Sequence, residues 1–445
     1  MAKISIIMPL YNADRFLEEA LQSICGQTFT DYELICINDA STDDTLEILH
    51  RFHRQDGRIQ IFTNAERRGA AFSRNRGMRE ATGEYLAFLD GDDIFDETML
   101  EKAYYKIEET AADIAIFAFR HVLSSDIHNK LRVCHGEEFQ NRYCHIPFSV
   151  TDCNPYEVIN WGSGPWNKLY RRSFIEKNHL AFQDLPCAND IYFVNMALML
   201  ARRLIVLETE NVMVYVRDHS GTDRISCHRD PMCNFKALMQ LGQELVKRGK
   251  FGELCSCFYA RVFFSLQSAL VADKKEAYAK AFYLFLQEEG IQKICSLDNQ
   301  WDMMAEPYVR DALFQFKEKS YASGWYKEKN ILSFYLEQEA DKVIRLFTAC
   351  QKAGKKIAIW GAGENGKTIL QFCLRHGLLV DAVIDKSRKK QGSKLCGYTV
   401  FLPQDAMEKI QVIIVSARYI SDAVEEEIGQ EEKEVIDMNQ FLCLY

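Results

Sequence analysis

No run of apolar residues in this chain approaches the ~20 residues of a membrane-spanning helix. The longest candidate, Ile191 to Leu200, is interrupted by Asn195. A long basic stripe is missing too: 54 Lys and Arg stand against 63 Asp and Glu, a formal net charge of −9, which argues against a nucleic-acid surface. Nothing at the start reads as a signal peptide, since Met1-Ala2-Lys3 runs straight into an apolar strand. The 15 cysteines are odd in number and scattered. Neither Cys255-Ser256-Cys257 nor Cys227 with Cys233 has the partners of a zinc site, so the expectation is buried thiols in a reducing cytosol. Repeats and low-complexity tracts are absent. What is there is a chain of 445 residues, 48% hydrophobic, with room for two or three domains.

The first ninety or so residues alternate strand and helix four times. Ile4 to Met8 is an apolar strand ended by Pro9; Asn12 or Asp14 can cap a helix whose Phe16, Leu17, Ala20, Leu21 and Ile24 share a face. Glu33–Ile37 is a second strand ending in Asn38-Asp39, and Ser41 with Asp44 fits a capping box for the helix carrying Leu46, Ile48, Leu49 and Phe52. Ile59–Phe62 is a third strand, and the basic loop Arg67-Arg68-Gly69 leads to a helix from about Ala71 to Ala81. Tyr85–Leu89 is the fourth strand. This alternation predicts an α/β, doubly wound sheet, in which ligands gather at the carboxyl ends of the strands.

The fourth strand stops at Asp90-Gly91-Asp92-Asp93. Carboxylates packed this closely repel one another, and a divalent cation relieves the repulsion. Hard oxygen ligands at a strand end suit Mg²⁺ or Mn²⁺, which in turn hold a diphosphate. The plainer reading is a solvated acidic turn in which Asp93 and Asp96 cap the helix that begins near Met99. Tyr11-Asn12, Asp39 and Asp90 with Asp92 all fall at strand ends on one rim, and the caps explain Asn12 and Ser41 better than they explain Asp39 or the acidic cluster.

Met8-Pro9-Leu10-Tyr11-Asn12, Ile37-Asn38-Asp39-Ala40-Ser41-Thr42-Asp43, Gly69 to Gly77 and Phe88 to Asp93 resemble, in order and spacing, the family-2 glycosyltransferases of the GT-A fold. Trp166 to Arg172 is similar to the bacterial polysaccharide members of that family. The resemblance covers about the first half of the chain. It implies an inverting hexosyltransferase that takes a nucleotide-sugar donor, UDP-linked, and a saccharide or lipid-linked acceptor. Asp39 would hold the base or ribose, Pro9, Tyr11 and Asn12 would line the nucleotide pocket, and Arg74 and Asn75 would lie near the donor. Asp90 and Asp92 would bind the metal and diphosphate, and His219, after the strand Val212–Val216, is either a further ligand through a neutral imidazole or a lone surface histidine. The family's base follows an acidic residue; here the stretch is Asn189-Asp190, with Asn in place of the usual Glu, and Asp190 retained as general base. Ala40 departs from the usual residue after the acid. Asp190 also suits an N-cap of the Ile191–Leu200 helix.

Asp113–Phe119 reads as a further core strand, His121–Ser149 as a variable loop over the acceptor side, and Trp161 and Trp166 as packing residues or as faces for a sugar ring. From Asn234 to about Ala349 apolar residues fall at helical spacing. A second strand–glycine–helix unit begins at Lys355: Gly361, Gly363 and Gly366 fit the dinucleotide fingerprint, and Gly361, Gly366, Lys367 and Thr368 fit the phosphate-loop spacing. Asp385, about twenty residues on, and the want of a second acid after Val412–Ala417 favour a small Rossmann-like domain. Its glycines bind a nucleotide, with Asp385 at the ribose, or serve only a tight turn. The expected domains are 1–225 (transferase), 226–349 (helical accessory region) and 350–445 (Rossmann-like). The expected setting is cytoplasmic, with the inner membrane face left open, and the expected role is surface polysaccharide synthesis. The rival readings are a nucleotide-sugar-binding regulator without catalysis, supported by Asn189, and a bifunctional protein with a C-terminal NAD-dependent activity.

Overall fold

The computed structural model describes residues 2–123, 143–153, 164–207, 213–218, 232–272, 276–297, 313, 315–320, 336–337, 339–416, 424 and 433–438. Two compact units divide the chain, Met1–Tyr321 and Ala322–Tyr445. No described helix is long and apolar enough to cross a membrane.

The first unit opens with β1 (Ile4–Leu10), α1 (Asp14–Cys25), β2 (Tyr32–Asn38), α2 (Thr45–His53), β3 (Ile59–Thr63), α3 (Ala70–Glu80) and β4 (Tyr85–Phe88). β1 pairs in parallel with both β2 and β4. The strand runs through Pro9 to Leu10, two residues beyond the sequence expectation. Pro9 is tolerated because β4 matches β1 only at Ile4–Ile7, so the last residues of β1 pair with β2 alone and the missing N–H costs no ladder bond. α3 packs so closely on β1 that a Cβ on Gly77 would come within 2.4 Å of Ile7.

After the short β5 (Ile94–Phe95) and α4 (Met99–Thr110), the apolar run from Asp113 does not form one strand. It gives β6 (Ile114–Ile116) and β7 (Ala118–Leu123), which lie in different sheets. The break is at Phe117, whose N–H donates to the Asn167 carbonyl while Asn167 Nδ2 donates to the Phe117 carbonyl. β7 also takes the first residues of the expected variable loop into a strand. β8 (Lys168–Arg171) is antiparallel to both β4 and β6. α5 (Arg172–Lys177), α6 (Asn189–Leu200) and β9 (Leu204–Val206) complete a mixed seven-stranded sheet in the order β3-β2-β1-β4-β8-β6-β9. β10 (Met213–Asp218) joins β5 and β7 in a three-stranded sheet. Helices follow: α7 (Met232–Lys247), α8 (Phe251–Ala272), α9 (Glu276–Phe285) and α10 (Ile291–Cys295). α6 is buried on nearly every side from Ile191 on, which is why that part is apolar all round, Asn195 excepted, rather than striped.

The second unit contains α11 (Ala340–Lys352), β11 (Ile357–Trp360), α12 (Glu364–Arg375), β12 (Ala382–Ile384), β13 (Lys394–Leu395), β14 (Tyr398–Phe401), β15 (Val412–Val415) and β16 (Glu434–Asp437). Its sheet runs β13-β14-β12-β11-β15-β16, parallel except for β13. The first strand is central and the order reverses there, as in a doubly wound sheet.

The helix caps depart from expectation. α1 is capped by Ala13, whose N–H donates to Thr45 Oγ1, and not by Asn12 or Asp14. Ser41 makes no capping box; its hydroxyl accepts from the Asn12 N–H, and Asp43 accepts from the Thr45 N–H. α4 begins after Thr98, held by Asp96. Around α1 and α2 these side chains tie the ends of β1 and β2 together instead of serving one helix each.

Candidate active site

The carboxyl ends of β1, β2 and β4 form a rim. Asn12 and Ala40 sit there with φ of 49° and 57°, a left-handed conformation unusual for residues with a Cβ. Asn12 Oδ1 accepts from the Thr42 N–H at 2.9 Å, which locks the two strand ends together. Ala40 occupies a conformation that glycine adopts without strain, so this departure from the family pattern carries a local cost.

Asp39 is 3% exposed and accepts three hydrogen bonds: from Asn64 Nδ2 at 2.7 Å, the Arg68 N–H at 2.9 Å and the Gly69 N–H at 2.7 Å. It fastens the 64–69 loop over the rim and has about one of its four lone-pair positions left for a ligand. That loop lays the Arg67 guanidinium 3.9 Å over the Tyr11 ring. Asn75 is a clamp: its Nδ2 donates to the Phe182 carbonyl and its Oδ1 accepts from the Phe182 N–H, both at 2.8 Å. It thereby fixes the segment that leads to Asp190.

β4 delivers Asp90 and Asp92. A Cβ on Gly91 between them would fall 2.2 Å from Leu10 Cδ2, so any larger residue would have to push the Leu10 side chain aside. Arg74, from α3, donates from Nη2 to Asp90 Oδ1 at 2.8 Å and from Nη1 to Asn189 Oδ1 at 3.3 Å. Its side chain is 8% exposed, whereas Asp90 keeps 31% open, so a buried guanidinium holds a carboxylate that still reaches solvent. Burial pushes the Asp90 carboxyl above the usual range; Arg74 opposes this and the Asp92 charge adds to it.

Asp190 lies in the first turn of α6, one residue inside the helix; the cap position is Ala188, at φ 55°. Burial raises its carboxyl, Arg74 pulls it back and the Asp90 charge pushes it further. Three more groups share this field. Lys168 is 0% exposed and donates to the Gly164 carbonyl at 2.9 Å and to Asn167 Oδ1 at 2.6 Å. Burial brings its ammonium down to about 7, with Arg261 adding and Asp190 opposing. Arg261, from α8, is lowered to about 10 by burial against the pull of Asp190. Tyr170, on β8, is raised by burial and by Asp190.

The Glycosyl transferase family 2 profile matches residues 5–177. This part of the chain belongs to the family-2 glycosyltransferases. Among similar proteins, glycosyltransferase GlyG of Streptococcus pneumoniae is 29% identical over 242 residues, 48% of this chain and 76% of GlyG. The uncharacterized glycosyltransferase EpsJ of Bacillus subtilis is 30% identical over 213 residues, 48% of this chain and 60% of EpsJ. The match takes in only 29% of the longer pneumococcal GlyA. Staphylococcus aureus TarS, a poly(ribitol-phosphate) β-N-acetylglucosaminyltransferase, is 25% identical over 251 residues, 41% of its length. The structure of TarS 1-349 in complex with UDP-GlcNAc superposes with a TM-score of 0.57 at 21% identity, covering 72% of this chain and 92% of that one. The first unit therefore has the GT-A fold. A second profile, the C-methyltransferase C-terminal domain, matches residues 316–440. The second unit is thus similar to a methyltransferase-associated domain, and its Rossmann-like character stands on the sheet order alone.

Within this glycosyltransferase domain the structure brings Asp90, Arg74, Asn189 and Asp190 together from three elements. Asp92 follows at the same strand end. Pro9, Tyr11 and Asn12 line the neighbouring rim. Trp166 packs edge-on against Phe119 at 4.6 Å between centroids. His219 and Trp161 lie outside the described residues. Among the described residues no three His, Cys, Asp or Glu form a metal cage. Asp90 and Asp92 nevertheless fit Mg²⁺ or Mn²⁺ chemically: both are hard oxygen donors, and Asp90 feels the Asp92 charge. Such ions are commonly held by one or two carboxylates plus substrate phosphates.

In the second unit, Gly361 has φ 109°, and a Cβ on Gly366 would come 1.9 Å from the Gly361 carbonyl oxygen. Both glycines are demanded by the turn, whereas no atom within 4 Å crowds a Cβ on Gly363. Asp385 accepts from the Ala362 and Ser387 N–H groups and from Lys390 Nζ at 2.8–2.9 Å. Burial alone would raise its carboxyl; those hydrogen bonds outweigh burial and hold it low. It braces the glycine loop.

Sequence reasoning passed over Lys168, Tyr170 and Arg261 as site residues. The signal for Arg261 was a lone cation within an apolar run of α8, Cys257-Phe258-Tyr259-Ala260-Arg261-Val262-Phe263. For Lys168 and Tyr170 the sequence carries no local signal, since Lys168-Leu169-Tyr170-Arg171 has two cations in four residues and does not read as a core strand.

Proposed function

We propose that the chain transfers a sugar from a UDP-linked donor to a saccharide or lipid-linked acceptor with inversion, aided by Mg²⁺ or Mn²⁺ at Asp90 and Asp92, in the synthesis of a cell-surface polysaccharide. The observation that carries this reading is Arg74 bridging Asp90 and Asn189, which ties the end of β4 to the first turn of α6, where Asp190 stands. Asp190 takes the proton of the acceptor hydroxyl as its oxygen attacks the anomeric carbon; the bond to the diphosphate breaks and its electron pair leaves with UDP. A carboxylate made more basic by burial is better matched to that proton than an ordinary aspartate. When bound, the ion offsets charge on the departing diphosphate. Arg67 over Tyr11, and the remaining acceptor position of Asp39, would face the nucleotide. Asn189, in place of the usual acid, still accepts from Arg74, which favours a working site over a catalytically silent regulator.

We assign 1–225 to transfer, 226–349 to an accessory role that includes Arg261, and 350–445 to a separate role. The setting is the cytoplasm, at the membrane face where lipid-linked acceptors are reached. The glycine loop at Gly361, Gly363 and Gly366 would take a phosphate, with Asp385 bracing the loop. The decisive variant is Asp190→Asn, which keeps size and polarity. Donor affinity by calorimetry should hold while UDP release falls about a hundredfold or more. Near-normal turnover would place the base elsewhere, and donor affinity indifferent to EDTA would remove the metal from the reading.

A further inference from the structure

Tyr170 sits where a phenylalanine would be expected. On β8 it is in register with Leu86 of β4 and Ile114 of β6, and it is 0% exposed. Its ring meets Phe88 edge-on at 5.7 Å and Phe193 at 5.5 Å between centroids. Phe182 stacks on Phe193 at 4.0 Å and closes the cluster. The hydroxyl is the one polar side-chain atom these four rings contribute, and among the described residues it has no hydrogen-bond partner. A buried hydroxyl left unpaired forfeits its hydration without return, so an oxygen kept here asks for a reason.

A second orphan belongs to the same neighbourhood. Arg74 Nε is buried and has no partner among the described residues, although Nη1 and Nη2 of the same guanidinium are engaged. The Arg74 guanidinium lies 5.3 Å over the Phe182 ring, on the same aromatic cluster. Tyr170 and Arg74 both interact electrostatically with Asp190, which precedes Phe193 by three residues on α6. Arg74 bonds Asn189, the neighbour of Asp190, and the Tyr170 ring packs on Phe193, one turn along the same helix, so both unspent donors belong to side chains held against the start of α6.

We propose that Tyr170 is a positioning residue for Asp190: its hydroxyl and Arg74 Nε donate to a single bound water, which donates in turn to the Asp190 carboxylate and fixes the oxygen that receives the acceptor's proton. This rests on the reading of Asp190 as the base. Such a water would have three polar partners, the usual number for a buried one.

The test uses the full chain carrying Tyr170→Phe, Asp190→Asn or both. UDP release from UDP-N-acetylglucosamine with Mn²⁺ and unfolding in denaturant are followed for each. Tyr170→Phe should lower kcat about ten- to a hundredfold with the donor KM unchanged, and should leave stability unchanged or slightly lowered, since it takes one donor from the bound water. Added to Asp190→Asn it should lower kcat no further. The stability changes of the two substitutions should be non-additive, a reading that needs no turnover. Unchanged kcat, additive effects on stability, or a stability loss with kcat and KM drifting together would overturn the inference. Full turnover in Asp190→Asn would sink the base assignment itself, and is told apart because that variant leaves Tyr170 intact.

Discussion

Replacing Asp39 with Asn separates two roles that one carboxylate can serve. The side chain is buried and accepts three N–H groups of the 64–69 loop, two on Oδ1 and one on Oδ2. Asparagine offers a single oxygen. With that oxygen kept toward Asn64 and Arg68, its NH₂ group faces the Gly69 N–H, donor against donor. One charge-assisted bond is lost outright and the other two become neutral, which together amount to about 2–4 kcal/mol. The loss falls on the loop that carries Arg67 to Tyr11, so donor affinity should weaken as a consequence of a loosened loop. Hydrogen exchange at the Arg68 and Gly69 amides should accelerate in Asp39→Asn without any nucleotide present. Chemical denaturation should show the first unit destabilised by the same order. If exchange and stability match the parent chain while donor affinity collapses, the carboxylate serves the ligand alone and the structural account is wrong.

Lys168 should give a pH signature. Its ammonium is held down to about 7 by burial, against ~10.4 for an unfolded lysine. Between those values the unfolded chain binds more protons than the folded one, so this group makes stability rise as pH climbs from about 7 toward 10. Lys168→Met should flatten that rise in denaturation curves taken across the range; a slope equal to the parent's would refute the shift. Gly366→Ala should force the glycine turn apart, because its Cβ would meet the Gly361 carbonyl oxygen at 1.9 Å, and should destabilise the second unit by about 1–3 kcal/mol. UDP release should persist in this variant at temperatures where the first unit stays folded; its loss there would contradict the separate role given to residues 350–445.

Much of the fold was legible because local periodicity encodes it. Apolar runs at β1, β2 and β4, the helical stripe of Leu17, Ala20, Leu21 and Ile24, and the acidic stop at Asp90 each follow from neighbours a few residues apart. The glycine turn at Gly361 was legible for the same reason. The single strand expected from Asp113 to Phe119 failed because its break depends on Asn167, fifty residues away, exchanging hydrogen bonds with Phe117. The helix caps failed likewise: Asn12 and Ser41, expected as caps, found partners across the strand ends, about thirty residues off.

The sequence by itself therefore determined which residue types stand at the rim: two carboxylates at the end of β4, an acid after β2 and another at the start of α6. Only the tertiary structure decided what each one does. It committed most of Asp39 to a loop, made a clamp of Asn75, gave Arg74 to Asp90 and Asn189 at once, and brought Lys168, Tyr170 and Arg261 into the electrostatic field of Asp190. The physical reason is that hydrogen bonds and burial act through space. Charge state and orientation at a site are set by groups that the chain brings together from 16 to 115 residues away, and no local pattern records that meeting.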